Sequence, residues 1–267
     1  LRQIYLSFSY IWKQQLSVLK TSKNESVRGI KMQNIIRKKA SQMEIELNDY
    51  QIEQFINYYS ILIEWNRVMN LTAITAFNEV CTKHFLDSIS LCKVIDCTQE
   101  YTLMDVGTGA GFPGIPLKIV FPNLQITLLD SLGKRVKFLN EVIQRLGLHG
   151  IQAIHGRAED YAKANLLREK VDICISRAVA NLSTLSEYCI PYVKEGGFFI
   201  SYKSEKLSEE MSNAKKAIEI LGGNIVSQNE FLLPNSDIYR NLLVIQKIAL
   251  TPKKYPRKAG LPSKEPL

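Results

Sequence analysis

Fourteen consecutive residues, Leu103 to Pro116 (LMDVGTGAGFPGIP), set a carboxylate, four glycines and two prolines between an apolar run and a helical pattern. Gly107, Gly109 and Gly111 let a backbone take positive φ and come close to a ligand, with Thr108 inside the same cradle. Pro113 suits the first turn of the helix that follows. About 20 residues beyond the glycines, Asp130 closes a second apolar run, where a carboxylate can accept hydrogen bonds from two ribose hydroxyls. Bend and acid together account for the adenosine half of a cofactor.

GAGFPG, from Gly109 to Gly114, formally matches the dinucleotide pattern G-x-G-x-x-G, so a nicotinamide oxidoreductase is one reading. Asp105, two residues before Gly107, favours another. A carboxylate there can orient the bend and face a cationic amino acid moiety such as S-adenosylmethionine carries, whereas it would repel a pyrophosphate.

These residues need a scaffold, and the chain beyond residue 100 supplies an alternation of strand and helix. Strands are predicted at 101–106, 124–130, 151–156, 171–176 and 197–203, with helices over 133–147 and 205–221 between them. The pattern predicts an α/β fold, a doubly wound, Rossmann-like and mostly parallel sheet. Segments 224–234 and 239–248 have only a short link and no helix between them, so they form an antiparallel hairpin at the end. A parallel sheet closed in this way is the class I methyltransferase architecture. Ligands of such sheets bind beyond the carboxyl ends of the strands, which is where the glycine bend falls.

Before the sheet, Asn48 and Gln51 form a capping box ahead of apolar residues at Ile52, Phe55, Ile56, Tyr59, Ile63 and Met69. A second helix is expected after Asn78, through EVCTKHFLDSISLCKVID. The expected organisation is an extension over 1–31, an N-terminal helical cap over 32–100, a methyltransferase domain over 101–250 and a basic C-terminal tail over 251–267.

A chain of 267 residues, 46% hydrophobic, buries one sizeable core. No run approaches the roughly 20 apolar residues of a membrane span, so a cytoplasmic protein with no membrane partner, and a monomer, is expected. Five cysteines without a C-x-x-C pair, and three histidines, suggest reduced core thiols and no metal site. The net charge of +8 fits an anionic partner. Lys253, Lys254, Arg257, Lys258 and Lys264 make the tail basic, and its prolines oppose regular helix.

NLTAI (70–74), KHFLDS (83–88), DVGTGAGFPGIPL (105–117), GRAED (156–160), SRAVA (176–180) and YPRKAGLPSKEPL (255–267) together resemble the bacterial small-subunit ribosomal RNA methyltransferase G family, also called GidB. The resemblance runs from about residue 32 onward and implies methyl transfer from S-adenosylmethionine to N7 of a guanine in 16S ribosomal RNA, free or within the small ribosomal subunit. It also implies that Gly107 and Phe112 contact the donor, that Ala158 and Glu159 flank its adenine, and that Arg177, the candidate catalytic residue, lies between donor and substrate. The stretch before Met32 matches nothing in the family.

Guanine N7 carries an in-plane lone pair and no proton, so its methylation needs no base, covalent nucleophile or metal, only alignment. The chain fits this: SRAVAN stands where amino-group methyltransferases place an N/D-P-P-Y/F cluster, and Cys189 lies inside a predicted helix as a core residue. Arg177 has a structural alternative, an ion pair with Asp105 or Asp172. His84 and Asp87, three apart, share a helix face and suggest a local hydrogen bond. Lys134 and Arg135 are expected in solvent, and Trp65, Tyr58 and Tyr59 in the core. Arg257, Lys258 and Lys264 would grip RNA phosphates. A non-catalytic RNA-binding scaffold and a small-molecule methyltransferase remain as other readings.

Overall fold

The computed structural model describes residues 27, 29–163, 166–177, 180–204 and 207–267. Most of the basic extension before Met32, together with Ala178 and Val179 of the SRAVA block, lies outside the described residues.

Helix α1 spans 29–41, and α2 runs over Asp49–Asn66. The predicted capping box is present: the Asn48 side chain accepts from the Gln51 amide at 2.9 Å, and Gln51 Oε1 accepts from the Asn48 amide at 3.1 Å. Gln51 does a second job, because its Nε2 donates to the carbonyls of Ile119 and Val120 at 2.9 and 3.2 Å. Gln54 Nε2 likewise donates to the Leu146 carbonyl at 2.9 Å. Those carbonyls end the two helices on which α2 lies, α5 (Gly114–Val120) and α6 (Gly133–Arg145). One helix thus satisfies the exposed carbonyls of two others.

The second cap helix begins at Phe77, two residues before the predicted start, and is not uniform. An α-helical turn α3 (Phe77–Val80) widens into a π-helix over Cys81–Leu86, returns to α-helix in α4 (Asp87–Ile89) and tightens to a 3₁₀ turn over Ser90–Lys93. Along it the Thr82, Ser88 and Ser90 hydroxyls donate to the carbonyls of Asn78, His84 and Asp87 at 3.0, 2.5 and 2.6 Å. Such back-bonding competes with the regular ladder.

The sheet has seven strands in the order β3-β2-β1-β4-β5-β7-β6, with β1 (Thr102–Val106), β2 (Gln125–Asp130), β3 (Ile151–His155), β4 (Val171–Arg177), β5 (Val193–Lys203), β6 (Gly223–Leu232) and β7 (Tyr239–Lys247). All pairings among β1 to β5 are parallel, while β7 runs antiparallel to both β5 and β6. The predicted doubly wound class with its terminal hairpin is the observed one. β5 starts at Val193 rather than Gly197. Gly197, which read as the strand start, instead lies inside β5 against β4, where a Cβ would run into the Asp172 carbonyl.

Neighbouring residues on a strand serve opposite faces. Leu103, Leu128, Ile175 and Val244 pack under α2, α5 and α6, and Tyr58, Leu62, Phe85 and Phe138 join them in one core. Met104, Leu129, Cys174 and Ile245 face α8 (Leu182–Cys189) and α9 (Ser208–Ile220). Each such buried aliphatic side chain contributes on the order of 1.5–3 kcal/mol. All five cysteines are free thiols; Cys189 is fully buried in this second core and Cys92 is half-buried. Tyr58 and Trp65 pack as expected, the latter edge-on to Phe138 at 5.7 Å, and Tyr59 rests half-buried against Phe77.

Candidate active site

The glycine bend occupies the carboxyl end of β1, at the point where the strand order reverses. Gly107, Gly109 and Gly111 all have positive φ, at 72°, 62° and 87°. Its two sides differ. A Cβ on Gly109 would meet nothing within 4 Å, so the bend is open there. On the inner side a Cβ on Gly111 would press on Ile115 and stand 2.9 Å from the Tyr58 hydroxyl, and one on Gly114 would stand 2.9 Å from Asp105 Oδ2. Tyr58 donates to the Ala110 carbonyl, which ties α2 to the bend. Pro113 is the N-cap residue, one position before the first helical turn where it was expected.

Asp105 is fully buried behind the bend. Its Oδ2 accepts from Thr108 Oγ1 at 2.6 Å and from the Gly114 amide at 2.9 Å, so the carboxylate orients the bend. Oδ1 has no partner among the described residues. Burial pushes this carboxyl up to about 6, against the pull of the Thr108 and Gly114 hydrogen bonds and of Arg177. Asp130, expected on ribose hydroxyls, is 3% exposed, and both oxygens are engaged: Oδ2 accepts from the Gly109 amide at 2.9 Å and from Arg135 at 3.4 Å, Oδ1 from the Leu132 amide at 2.9 Å. Arg135 is thereby half-buried on Asp130 rather than free in solvent, while Lys134 is exposed.

Two recesses flank the bend. One lies over the ends of β1, β2 and β3 and is lined by Gly107, Ser131, Arg157, Ala158, Glu159 and Tyr188. Ala158 and Glu159 enter it from the short helix α7 (Ala158–Tyr161), and Tyr188 from α8. The second, of about 320 Å³, lies between the cap and the ends of β4, β5 and β7, and has room for a small planar ligand. Lys83, His84, Asp87, Arg177, Tyr202 and Arg240 line it.

Asp87 organises the second recess. Its Oδ2 accepts from Arg177 Nη1 at 2.8 Å and its Oδ1 from Arg240 Nε at 2.7 Å. Arg177 also donates to the Lys83 carbonyl at 3.3 Å, and its guanidinium lies 5.2 Å from the centre of the Phe112 ring. The ion-pair partner of Arg177 is therefore Asp87, not Asp105 or Asp172; Asp172 pairs with Lys194 and accepts from Thr102. Nor do His84 and Asp87 bond each other. His84 Nε2 meets Thr72 Oγ1 at 2.8 Å, and the ring stacks on Phe112 at 4.5 Å and 21°. Burial, then the field of Arg177, lowers the imidazole to about 4. Phe112 thus touches Arg177, His84 and Tyr58 at once.

The tail differs most from expectation. Residues beyond Thr251 lie against α8, with a single helical turn α10 (Leu261–Lys264) that has Pro262 in its first turn, where proline is tolerated. Arg257 is bound to Glu187 and only 20% exposed, so it does not stand ready for phosphates; Lys258 and Lys264 are exposed. Sequence reasoning missed Arg240, Lys83, Tyr188 and Glu187. Arg240 had one weak signal, a cation at the start of an otherwise apolar strand. Among the described residues, no three His, Cys, Asp or Glu side chains are placed to hold a metal ion, and no helix is long and apolar enough to cross a membrane.

The family model for rRNA small subunit methyltransferase G matches residues 51–239. The Ribosomal RNA small subunit methyltransferase G of Lachnoclostridium phytofermentans is 56% identical over 84% of this chain and 92% of its own length. That of Acetivibrio thermocellus is 54% identical over 90% of this chain and 98% of its own. Among solved structures, a chain from the complex of the Haloferax volcanii Trm112 methyltransferase activator with a methyltransferase superposes at a TM-score of 0.50 and 12% identity, covering 64% of this chain and 92% of that one; a likeness at that identity concerns the fold alone. On the matched span and the identity of these relatives, the chain belongs to the rRNA small subunit methyltransferase G family.

Proposed function

We propose that the protein methylates N7 of a guanine in 16S ribosomal RNA, by in-line transfer and without a general base. Membership of the family makes it an S-adenosylmethionine-dependent methyltransferase of small-subunit ribosomal RNA, and the oxidoreductase reading of the glycine bend falls away.

The observation that supports the N7 reading is that, among the described residues, no effective base faces the second recess. His84, lowered to about 4, is a weak base, and both oxygens of Asp87 are held by guanidinium groups. A nitrogen that brings its own lone pair and no proton suits such a site. The surrounding groups bind and orient: Arg177 and Arg240, joined through Asp87, present cations to a purine O6 or a phosphate. Arginine paired with both O6 and N7 would block the nucleophile, so contact with O6 alone fits the reaction.

The bend fits the donor. Its open side at Gly109 admits a ligand, and the buried Asp105 places negative charge behind the bend, which favours a sulfonium over a pyrophosphate. The donor supplies an activated methyl group on a cationic sulfur. Gly107, Ala158, Glu159 and Tyr188 would hold its adenosine in the first recess, and Phe112 and Arg177 would stand between it and the base.

N7 is hidden in the deep, narrow groove of an RNA helix, so the target base must be unpaired or turned out of the stack. Mass spectrometry of small-subunit RNA from cells with and without the protein tests the reading. An N7-methylguanosine should vanish with the gene and return with the wild-type chain, but not with Arg177→Ala. A persistent N7-methylguanosine, with another modification lost, would refute it.

A further inference from the structure

The tail lies behind the first recess, and its bonds end on the two helices that form that recess. Glu187, on α8, is fully buried, and its carboxylate accepts from the Arg257 amide at 2.7 Å, from Nε at 3.0 and 3.1 Å and from Nη2 at 2.7 Å. A carboxylate so far from water is sustained only by a partner of this kind. The next residue is Tyr188, a wall of the recess. Arg257 Nη2 also donates to the Glu265 carbonyl at 2.7 Å, folding the tail back on itself.

The opposite wall is held as well. The Gly260 amide donates to Glu159 Oε1 at 2.7 Å, across 101 residues of sequence. Thr184, on α8, donates to the Pro262 carbonyl at 3.0 Å, and Arg168 donates to the Tyr255 carbonyl at 2.6 Å. The tail is therefore anchored at both ends and bridges α7 to α8.

We propose that the tail segment from Arg257 to Lys264 is a positioning strap for the donor: by holding Glu159 and Glu187 it fixes the separation of the two walls between which the adenosine sits. Arg257 acts through Glu187 on the donor site and does not bind RNA. The inference rests on the placement of adenosine in the first recess proposed above.

The test uses the whole 267-residue chain, with S-adenosylhomocysteine titrated by calorimetry and small-subunit RNA binding measured across salt concentrations. Arg257→Ala should weaken S-adenosylhomocysteine binding about tenfold. Arg257→Lys, which keeps the charge but loses the two-pronged fit, should fall between it and wild type. KM for the donor should rise while KM for RNA and the salt slope stay unchanged. Wild-type donor affinity in either folded variant, or a loss of RNA affinity with a shallower salt slope, would overturn the proposal. If Arg257→Ala does not fold, Arg257→Lys is read by the same two outcomes. Ala158→Trp, which fills the recess, separates the premise: unaltered binding there would place adenosine elsewhere and remove the proposal's basis.

Discussion

The two recesses beside the glycine bend are built from different materials. The first, lined by Gly107, Ser131, Arg157, Ala158, Glu159 and Tyr188, has carboxylates in it and behind the bend that are already committed to backbone amides: Glu159 on Gly260, Asp105 on Gly114, Asp130 on Gly109 and Leu132. The second is made of side chains, two guanidinium groups on one buried carboxylate with an imidazole beside them. A backbone cradle suits a ligand that never varies. A site of long side chains can close on a base presented by a larger RNA. With the donor and acceptor placed as proposed, the contrast makes the donor side vulnerable to added volume and the acceptor side to lost charge.

The largest effect is expected on the donor side. Gly114→Val would press on Leu128 and on the Asp105 carboxylate 2.9 Å away, destabilising the fold by about 3 kcal/mol and abolishing donor binding in calorimetry. Donor binding that survives in this variant would dissolve the distinction. Next comes Arg177→Ala, for which single-turnover kinetics should show a loss on the order of 10²-fold with donor affinity little changed. Arg240→Ala should raise KM for RNA about tenfold with a smaller change in turnover, because it removes a charge-assisted bond from Asp87 and not a contact to the bend.

A pH experiment sharpens the comparison further. Burial first, then Arg177, lowers His84 to about 4, below its ordinary value of 6.5, and Asp87 and Arg240 also act on it. Between those values the unfolded chain binds a proton at this position that the folded chain refuses. His84 therefore subtracts stability as pH falls from 6.5 towards 4. Denaturant melts at pH 4.5 and 7 should show a smaller pH difference for His84→Gln than for wild type. The smallest effect belongs to the exposed tail lysines: Lys258→Ala and Lys264→Ala should each reduce the slope of log affinity for RNA against log salt by about 1 at most, with folding unaffected. The same assay on wild type should show a steep slope, and a flat one would deny the protein an electrostatic RNA footprint.

The sheet was legible because its signals are local. β1, β2 and β4 are short apolar runs, and the absence of a helix between 224–234 and 239–248 identified the antiparallel pair. The irregular cap helix was not legible, since a hydroxyl such as Thr82 or Ser88 makes the same back-bond in this segment as Ser60 makes in the regular α2, so residue type does not announce the change of turn. The same rule divides the site. The glycine bend and Asp105 lie within ten residues of each other, so the donor side could be read from spacing. Asp87 and Arg240 are 153 residues apart and meet only because β7 turns back beside β5. Net charge misled at the tail, because composition does not separate a lysine in water from an arginine given over to a buried glutamate.

Phe112 belongs to neither recess alone. Its ring packs against Tyr58 and Phe85, stacks with His84 and has the Arg177 guanidinium 5.2 Å from its centre, while its backbone is part of the bend. A ring wedged among four such neighbours cannot tilt without moving one of them. On the proposed placement of the donor at the bend, any shift of the Phe112 backbone there would be passed through its ring to His84 and Arg177, the groups that would meet the purine.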